Sequence, residues 1–319
     1  MIYAPILIPT LNRIEHLKRC ITALQNNPWA KYTLLIISVD YPPEEKYEGG
    51  YQKICSYLKE GIVGFGDVRI IYQKENLGWY DNYVFLKNYS ADICDRFIYL
   101  EDDVEVSPNF IEYIDKGLEL FEDNDDVVAI CAAGFAGIED KDNNVVLSQN
   151  FSAWGYGSWI RKDRELRQKI NSQYVLNLVK NAKKILYLAY KNPGVLFSLQ
   201  SLIFHKDLFS REYSDEVLVF DQTIKLYTMM EQKYVVGACA EKSRNLGYDG
   251  SGANCNAVIG VDKIEIDQRT YFDYHFTNPM IYRNYKPKYT IEVICRILIC
   301  FIKLGVWRIG KGIIDGLNR

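Results

Sequence analysis

The sequence predicts an α/β protein built on a mostly parallel, doubly wound sheet with helices on both faces, and a helical carboxyl-terminal tail. Three observations predict it. Short apolar runs alternate with amphipathic helical patterns through residues 2–132. The runs at 33–39 and 127–132 are continuously apolar, the pattern of strands covered on both faces. Acidic residues stand where two of these runs end, at Asp40 and at Glu101-Asp102-Asp103, the carboxyl edge at which such sheets bind ligands.

Residues 2–8 read as the first strand, closed by Pro9-Thr10. Asn12 is placed to cap the next helix, with Glu15 three residues on, and Ile14, Leu17, Ile21 and Leu24 mark its buried face. Residues 33–39 form the second strand, which ends at Asp40 and the turn Tyr41-Pro42-Pro43. A helix through 53–58 leads to a third strand at 68–72, and Asn76-Leu77-Gly78-Trp79 opens a helix carrying Asn82. The fourth strand runs into the acidic triplet. Ser107-Pro108 then starts a helix with Phe110, Ile111, Ile114, Leu118 and Phe121 inward, and 127–132 is the fifth strand. Beyond Gly134 the alternation fades. Residues 145–147 resemble a hairpin arm, 153–159 are a dense aromatic-glycine run, and 163–192 are basic and helical in pattern.

A chain of 319 residues, nearly half hydrophobic and a quarter charged, carries a substantial core. Its net charge of -3 implies no general nucleic-acid binding. The charge is uneven: residues 283–319 balance to +6 and the rest to -9. Tyrosine is over-used, with 25 copies, which suits a surface that handles sugars or meets a membrane interface. Eight scattered cysteines with no C-x-x-C pair argue against a zinc site or disulfide framework and fit reduced thiols in a cytosolic protein. The opening residues lack the basic region and cleavage site of a signal peptide.

Three successive carboxylates repel unless a cation holds them. A divalent metal, Mn²⁺ or Mg²⁺, sharing one or two of them with phosphate oxygens and water is the economical reading; a solvated acidic turn before the next helix is the alternative. Asp40 is placed to accept a bond from a ribose or base, or to cap its turn. The Gly-rich phosphate fingerprint is missing after strand one, which argues against NAD or FAD. Trp154-Gly155-Tyr156-Gly157 suits stacking on a sugar face, or a packed β turn with core rings. Asp221 follows an apolar run, and Arg244 stands at the entrance of a glycine-rich loop, 244–254.

With Asp40, the 76–78 turn and EDDVEVSPNFIEYI at 101–114 in hand, residues 3–255 resemble the GT-A-fold nucleotide-sugar glycosyltransferases, most nearly bacterial polysaccharide glycosyltransferases (family 2-like) and the N-acetylglucosaminyltransferase I family. The resemblance implies a nucleotide-sugar-binding half at 1–135, an acceptor-binding and catalytic half at 136–282, and a tail at 283–319. It implies that Pro9 and Thr10 approach the nucleotide and that Asp40 bonds the uracil of a UDP-sugar. Asn76, Asn82, Glu101 and Asp102 then stand near the donor, and Asp103 binds the metal. Trp154, Gly155 and Tyr156 meet the sugar and acceptor, Arg244 closes over the diphosphate, and Asp221 is the base of an inverting transfer. Here the run reads Phe220-Asp221-Gln222 where the family carries tryptophans and a second acid, and Asp163, Asp215 and Glu216 are rival bases.

The implied acceptor is a glycan or a polyprenyl-linked glycan in cell-surface polysaccharide synthesis. A metal-dependent sugar nucleotidyltransferase, or a non-catalytic sugar-binding subunit that kept the fold, are the alternatives; the first wants a glycine- and base-rich loop where Pro9 to Arg13 stand. From 291 to 307 the chain is apolar apart from Glu292, Arg296 and Lys303, with Trp307, Arg308 and Lys311 following. Such a helix packs in the core, or lies on an anionic membrane face without crossing it, making the enzyme peripheral on the inner side of the cytoplasmic membrane.

Overall fold

The computed structural model describes residues 2–133, 145–204, 220–249, 264–274, 281–283 and 288–317. The chain divides into two compact units that interleave along the sequence. One holds Met1–Leu147, Ser152–Lys162 and Tyr234–Tyr282; the other holds Ser148–Phe151, Asp163–Lys233 and Arg283–Arg319.

The first unit is organised on a sheet. Strands β1 (Ile6–Thr10), β2 (Leu34–Val39), β3 (Asp67–Tyr72) and β4 (Arg96–Tyr99) run parallel in the order β3-β2-β1-β4. They are joined in sequence by α1 (Ile14–Gln25), α2 (Glu45–Lys59) and α3 (Gly78–Ala91), the doubly wound pattern that the alternation predicts. Thr10 pairs with Val39 and Leu7 with Tyr99. This register brings Thr10, Asp40 and the triplet after β4 to one edge.

Beyond β4 one strand runs against both its neighbours. β8 (Tyr156–Trp159) lies antiparallel between β4 and β6 (Val127–Cys131), and β6 pairs parallel with β9 (Tyr234–Ala238). With β7 (Val145–Ser148) and β11 (Ile281–Arg283), nine strands among the described residues form one sheet, ordered β11-β7-β9-β6-β8-β4-β1-β2-β3. A two-stranded antiparallel ribbon, β5 (Val104–Val106) with β10 (Ser243–Asn245), stands apart.

The aromatic-glycine run is therefore a central strand, all four residues of which are buried. Its glycines answer to packing. A Cβ on Gly157 would stand 2.4 Å from Ile114 Cγ2 of α4 (Phe110–Leu120), and Gly155 enters the strand at φ +83°. The periodic faces are where the sequence puts them: Leu17, Ile21 and Leu24 of α1 and Phe110, Ile111, Ile114 and Leu118 of α4 are buried. The Asn12 cap does not form. Helix α1 starts one residue later, with Arg13 at the N-cap and no side-chain cap bond, and the Asn12 carbonyl lies against α2, 2.2 Å from where a Cβ on Gly50 would be.

Residues 264–274 strap α4. The Tyr274 hydroxyl donates to the Tyr113 carbonyl (2.7 Å) with the two rings stacked, and Lys116 Nζ donates to the Phe272 carbonyl (2.7 Å). Lys242, without exposed surface, ion-pairs with Asp267. Burial pushes the Asp267 carboxyl up, but hydrogen bonds from Arg269, Lys242 and Asn109 outweigh it and hold the group well below the usual carboxylate range.

The second unit is helical among its described residues: α5 (Ile160–Lys169), α6 (Ser172–Lys180), α7 (Ala182–Lys191), α8 (Pro193–Phe204), α9 (Phe220–Met230) and α10 (Ile291–Leu317). Asn171 and Asn181 cap α6 and α7 by accepting from Tyr174 N–H (2.9 Å) and Lys184 N–H (3.1 Å). α8 packs against α7, α9 and α10.

One buried acid of α4 links this core to pH. Asp115 has no exposed surface; one oxygen accepts the Ala4 N–H (3.0 Å) and the other has no hydrogen-bond partner among the described residues. Burial pushes its pKa up to about 7, against the pull of the Ala4 N–H and Arg96. The native state then keeps a proton that the unfolded chain releases above about pH 4, so stability falls as pH rises from about 4 to about 7, by at most about 4 kcal/mol. Asp115→Asn keeps the acceptor for Ala4 and removes the titration. Urea denaturation of both proteins across this range is expected to show the variant gaining on the wild type with rising pH; parallel pH profiles would refute the assignment.

Candidate active site

Four chain segments meet at the carboxyl edge of the parallel strands. Asp40, just past β2, is buried and has both oxygens engaged. One accepts the N–H groups of Tyr41 (2.9 Å) and Leu77 (2.8 Å), the other those of Gly78 (2.9 Å) and the Asn76 side chain (3.1 Å). Burial pushes its pKa up and the three backbone donors pull it back. Asn76 also donates to the Tyr41 carbonyl (2.6 Å), tying the turn after β2 to the start of α3. The Asn82 amide is spent on Ser38: its oxygen accepts from the hydroxyl, and its nitrogen lies 3.4 Å from the carbonyl. What Asn82 holds is α3 against β2. Pro9 of β1 pairs with Ser38 of β2, and the Thr10 carbonyl accepts the Asp40 N–H (2.8 Å).

At the neighbouring strand end the acidic triplet makes the turn from β4 into β5, with the Glu101 carbonyl accepting the Val104 N–H (3.2 Å). Asp102 and Asp103 are buried side by side, and a cation from another segment bridges them. Arg13 donates Nη1 to Asp103 Oδ2 (2.7 Å) and Nη2 to Asp102 Oδ1. The Thr10 hydroxyl donates to the other Asp102 oxygen (2.7 Å). Burial works against the guanidinium's charge, but the two carboxylates outweigh it and raise the Arg13 pKa. Burial, with repulsion from Asp103, raises the Asp102 carboxyl, and Arg13 opposes both. Sequence reasoning missed Arg13; the signal was a lone cation opening the helix that follows strand one.

The β5–β10 ribbon roofs this cluster. Asn245 Nδ2 donates to Asp103 Oδ1 (3.3 Å), its Oδ1 accepts the Gly247 N–H (2.7 Å), and the Asp103 carbonyl accepts the Leu246 N–H (2.8 Å). A Cβ on Gly247 would fall 2.1 Å from Asp103 Oδ2, so any other residue there would have to displace the carboxylate. His16 of α1 meets Asp249 (3.1 Å). The part-buried Trp154 ring packs edge-on against Tyr248 (5.7 Å between centroids), and the Trp154 carbonyl accepts from Ser243.

Tyr156 departs from its expected role, and Arg244 and Asp221 stand among partners of their own. Arg244 is in strand β10, opposite Glu105, and its Nε donates to that carboxylate (2.8 Å). Tyr156 has no exposed surface: its hydroxyl bonds Tyr83's (2.8 Å) and its ring packs against Phe97 and Tyr99, so it is a core residue where a sugar contact was expected. Gly155 contributes backbone, its carbonyl accepting the Ala132 N–H (2.9 Å). Asp221 belongs to the other compact unit, in the first turn of α9, where one oxygen accepts from Lys225 (3.0 Å) and Gln222 (3.0 Å). The rival Asp163 is bound at both oxygens by Arg167 (2.9 Å each). Asp215 and Glu216 lie outside the described residues.

Adjacent Asp102 and Asp103 offer hard carboxylate oxygens of the kind Mn²⁺ or Mg²⁺ prefers, and in this structure Arg13 holds them. Among the described residues no group of three or more ligating side chains could hold a metal unaided.

The family model described as "Glycosyl transferase family 2" matches residues 6–177. No curated protein matches the chain. Among solved structures the chain is similar to TarS 1–349 of S. aureus, at 10% identity over 74% of this chain and 58% of that one (TM-score 0.37). It is also similar to the apo form of mouse xyloside xylosyltransferase 1, at 11% identity over 73% and 83% (TM-score 0.35), and to the glycosyltransferase GlyE of Streptococcus pneumoniae TIGR4, at 13% over 73% and 45% (TM-score 0.31). It spans 30% of the longer S. aureus TarS chain.

Removing the bridging cation tests the cluster without any assay of activity. Arg13→Gln removes the cation between two buried acids and is expected to cost about 3 kcal/mol, roughly 4–5 °C in Tm. Mn²⁺ should restore a larger part of that loss than it adds to the wild type, because it enters without competing with the guanidinium. Equal Mn²⁺ shifts in the two proteins, read by scanning calorimetry, would rule out a shared site.

Proposed function

Because the chain belongs to glycosyl transferase family 2, we propose that it moves a hexosyl or N-acetylhexosaminyl group from a UDP-sugar to a hydroxyl of a glycan or polyprenyl-linked glycan, with Mn²⁺ or Mg²⁺ and with inversion. The observation that carries the donor side is the convergence of Thr10, Asp40, Asn76, Asp102 and Asp103 on one strand edge, with Arg13 as counter-ion. Asp40 and the 76–78 turn form a fixed wall for the nucleoside. Thr10 and Arg13 hold Asp102 in place, and Asp103 faces the ribbon. Asp103, with Asp102 beside it, would hold the metal, and Arg13, freed from the pair, would be placed to meet a diphosphate oxygen. When bound, that metal supplies Lewis-acid stabilisation of the departing diphosphate.

In this reading Asp221 takes the proton of the attacking hydroxyl while the new glycosidic bond forms and the bond to the diphosphate breaks. Lys225 and Gln222 orient the carboxylate that does so. The acceptor is proposed to be met at the inner face of the cytoplasmic membrane, in the assembly of a cell-surface polysaccharide. Among the described residues no helix is long and apolar enough to cross a membrane.

Incubation with UDP-, GDP- and CMP-sugars, with and without Mn²⁺, tests the reading: metal-dependent release of UDP, slow even to water, is expected. Release from none of them would leave the proposal without support. Asp103→Ala should abolish Mn²⁺-dependent UDP binding by calorimetry while circular dichroism stays unchanged. Asp221→Asn should keep UDP binding and lower kcat about 10²–10⁴-fold; transfer at near the wild-type rate would move the base elsewhere.

A further inference from the structure

Helix α10 has two apolar faces, and the second unit covers one of them. Cys300 and Leu304 have no exposed surface, Cys300 Sγ lies 3.9 Å from the Leu196 carbonyl of α8, and the Arg296 guanidinium stacks on Phe197 at 4.5 Å from the ring centroid. Just before the helix, the Tyr289 hydroxyl donates to the carbonyls of Ala189 (3.1 Å) and Tyr190, fastening its start to the end of α7.

The other face is open. Ile291, Ile294, Leu298, Ile299 and Ile302 recur at helical spacing and are exposed, Ile291 by 83% and Ile302 by 66%. On α7, Leu186 and Tyr190 stand one turn apart and are exposed by 57% and 69%. Isolated exposed apolar residues need no explanation, but a stripe three turns long beside an exposed tyrosine does. The charges around it are mostly basic. Residues 182–204 and 288–305 hold Lys183, Lys184, Lys191, Lys288, Arg296 and Lys303 against a single acid, Glu292.

We propose that the outward stripe of α10, with the exposed end of α7, is a docking surface for an anionic lipid bilayer, lying in the headgroup region with its axis along the membrane. Apolar side chains flanked by lysine and arginine, with tyrosine at the margin, match a surface whose interior is hydrocarbon and whose rim is negative. A second copy of this chain fits less well, since a two-fold pairing sets the patch against itself and brings these basic groups together. The covered face is what lets the helix stay attached to the second unit while its other side enters lipid. The proposal uses no residue of the donor site, so it stands or falls separately from the sugar chemistry.

The test uses the full chain. Flotation with vesicles of equal parts phosphatidylglycerol and phosphatidylcholine should carry the wild type, and vesicles of phosphatidylcholine alone should carry at least about tenfold less. Leu298→Asp with Ile302→Asp, both on the open face, should abolish flotation, and Lys303→Glu should weaken it by about fivefold or more. Circular dichroism and UDP release, unchanged in these variants, separate a lost docking surface from a lost fold. A wild type that stays at the bottom of the gradient overturns the proposal. So do a double aspartate variant that floats like the wild type, and a wild-type dimer that this variant dissociates while binding lipid no worse.

Discussion

Two carboxylates, buried next to each other at the end of β4, have to be neutralised where they stand, and much of the first unit is arranged to do it. Arg13 reaches them because β1 and β4 are adjacent and parallel, so the residue that opens α1 stands beside the turn that leaves β4. Thr10 contributes its hydroxyl from the last position of β1. From the far end of the sequence the Asn245 amide reaches Asp103, and Gly247 passes so close that a methyl group would collide with the carboxylate. A buried charge without partners costs several kcal/mol, and at this site the partners come from two segments distant in sequence, 10–13 and 245–247.

How much of this the sequence disclosed depended on whether the signal was periodic or relational. The parallel strands, the faces of α1 and α4, and the gathering of Asp40 with Asp102 and Asp103 at one edge were legible, because apolar runs and their ends are local. The role of Arg13 was not: an arginine at a helix start reads as solvated until the strand order places it against acids ninety residues away. The 153–159 run misled for a different reason. Glycine and aromatic rings suggest a loop made for a ligand, yet Gly157 is there because α4 leaves no room for a side chain, and Tyr156 fills the core beside Tyr83 and Tyr99. Arg244 read as the entrance of a flexible loop because three residues of ribbon are too short to show a period.

The last helix was ambiguous for a related reason. A segment apolar around most of its circumference can pack in a core or meet lipid, and composition does not choose. The structure divides the circumference: Cys300 and Leu304 belong to packing against α8, while Ile291, Leu298 and Ile302 do not. The core reading holds for the first face, and the lipid reading is what we propose for the second.

Asp40 and Asp103 show how identical side chains on one edge take different parts. Three of the four hydrogen bonds to Asp40 come from backbone N–H groups of its own turn and of the α3 start, and these cannot leave without undoing the local chain. The bonds to the Asp102 and Asp103 side chains come from other side chains, Thr10, Arg13 and Asn245, which move by changing rotamers. Asp40 is thus a fixed wall and the acidic pair an exchangeable one. The proposed donor sharpens the contrast through charge. Its diphosphate adds about two negative charges to an edge where one guanidinium already faces two acids, so a second cation is needed before it settles there. In the proposed reading a divalent ion on Asp103, with Arg13 turned toward the phosphates, would meet that need while leaving the Asp40 wall untouched.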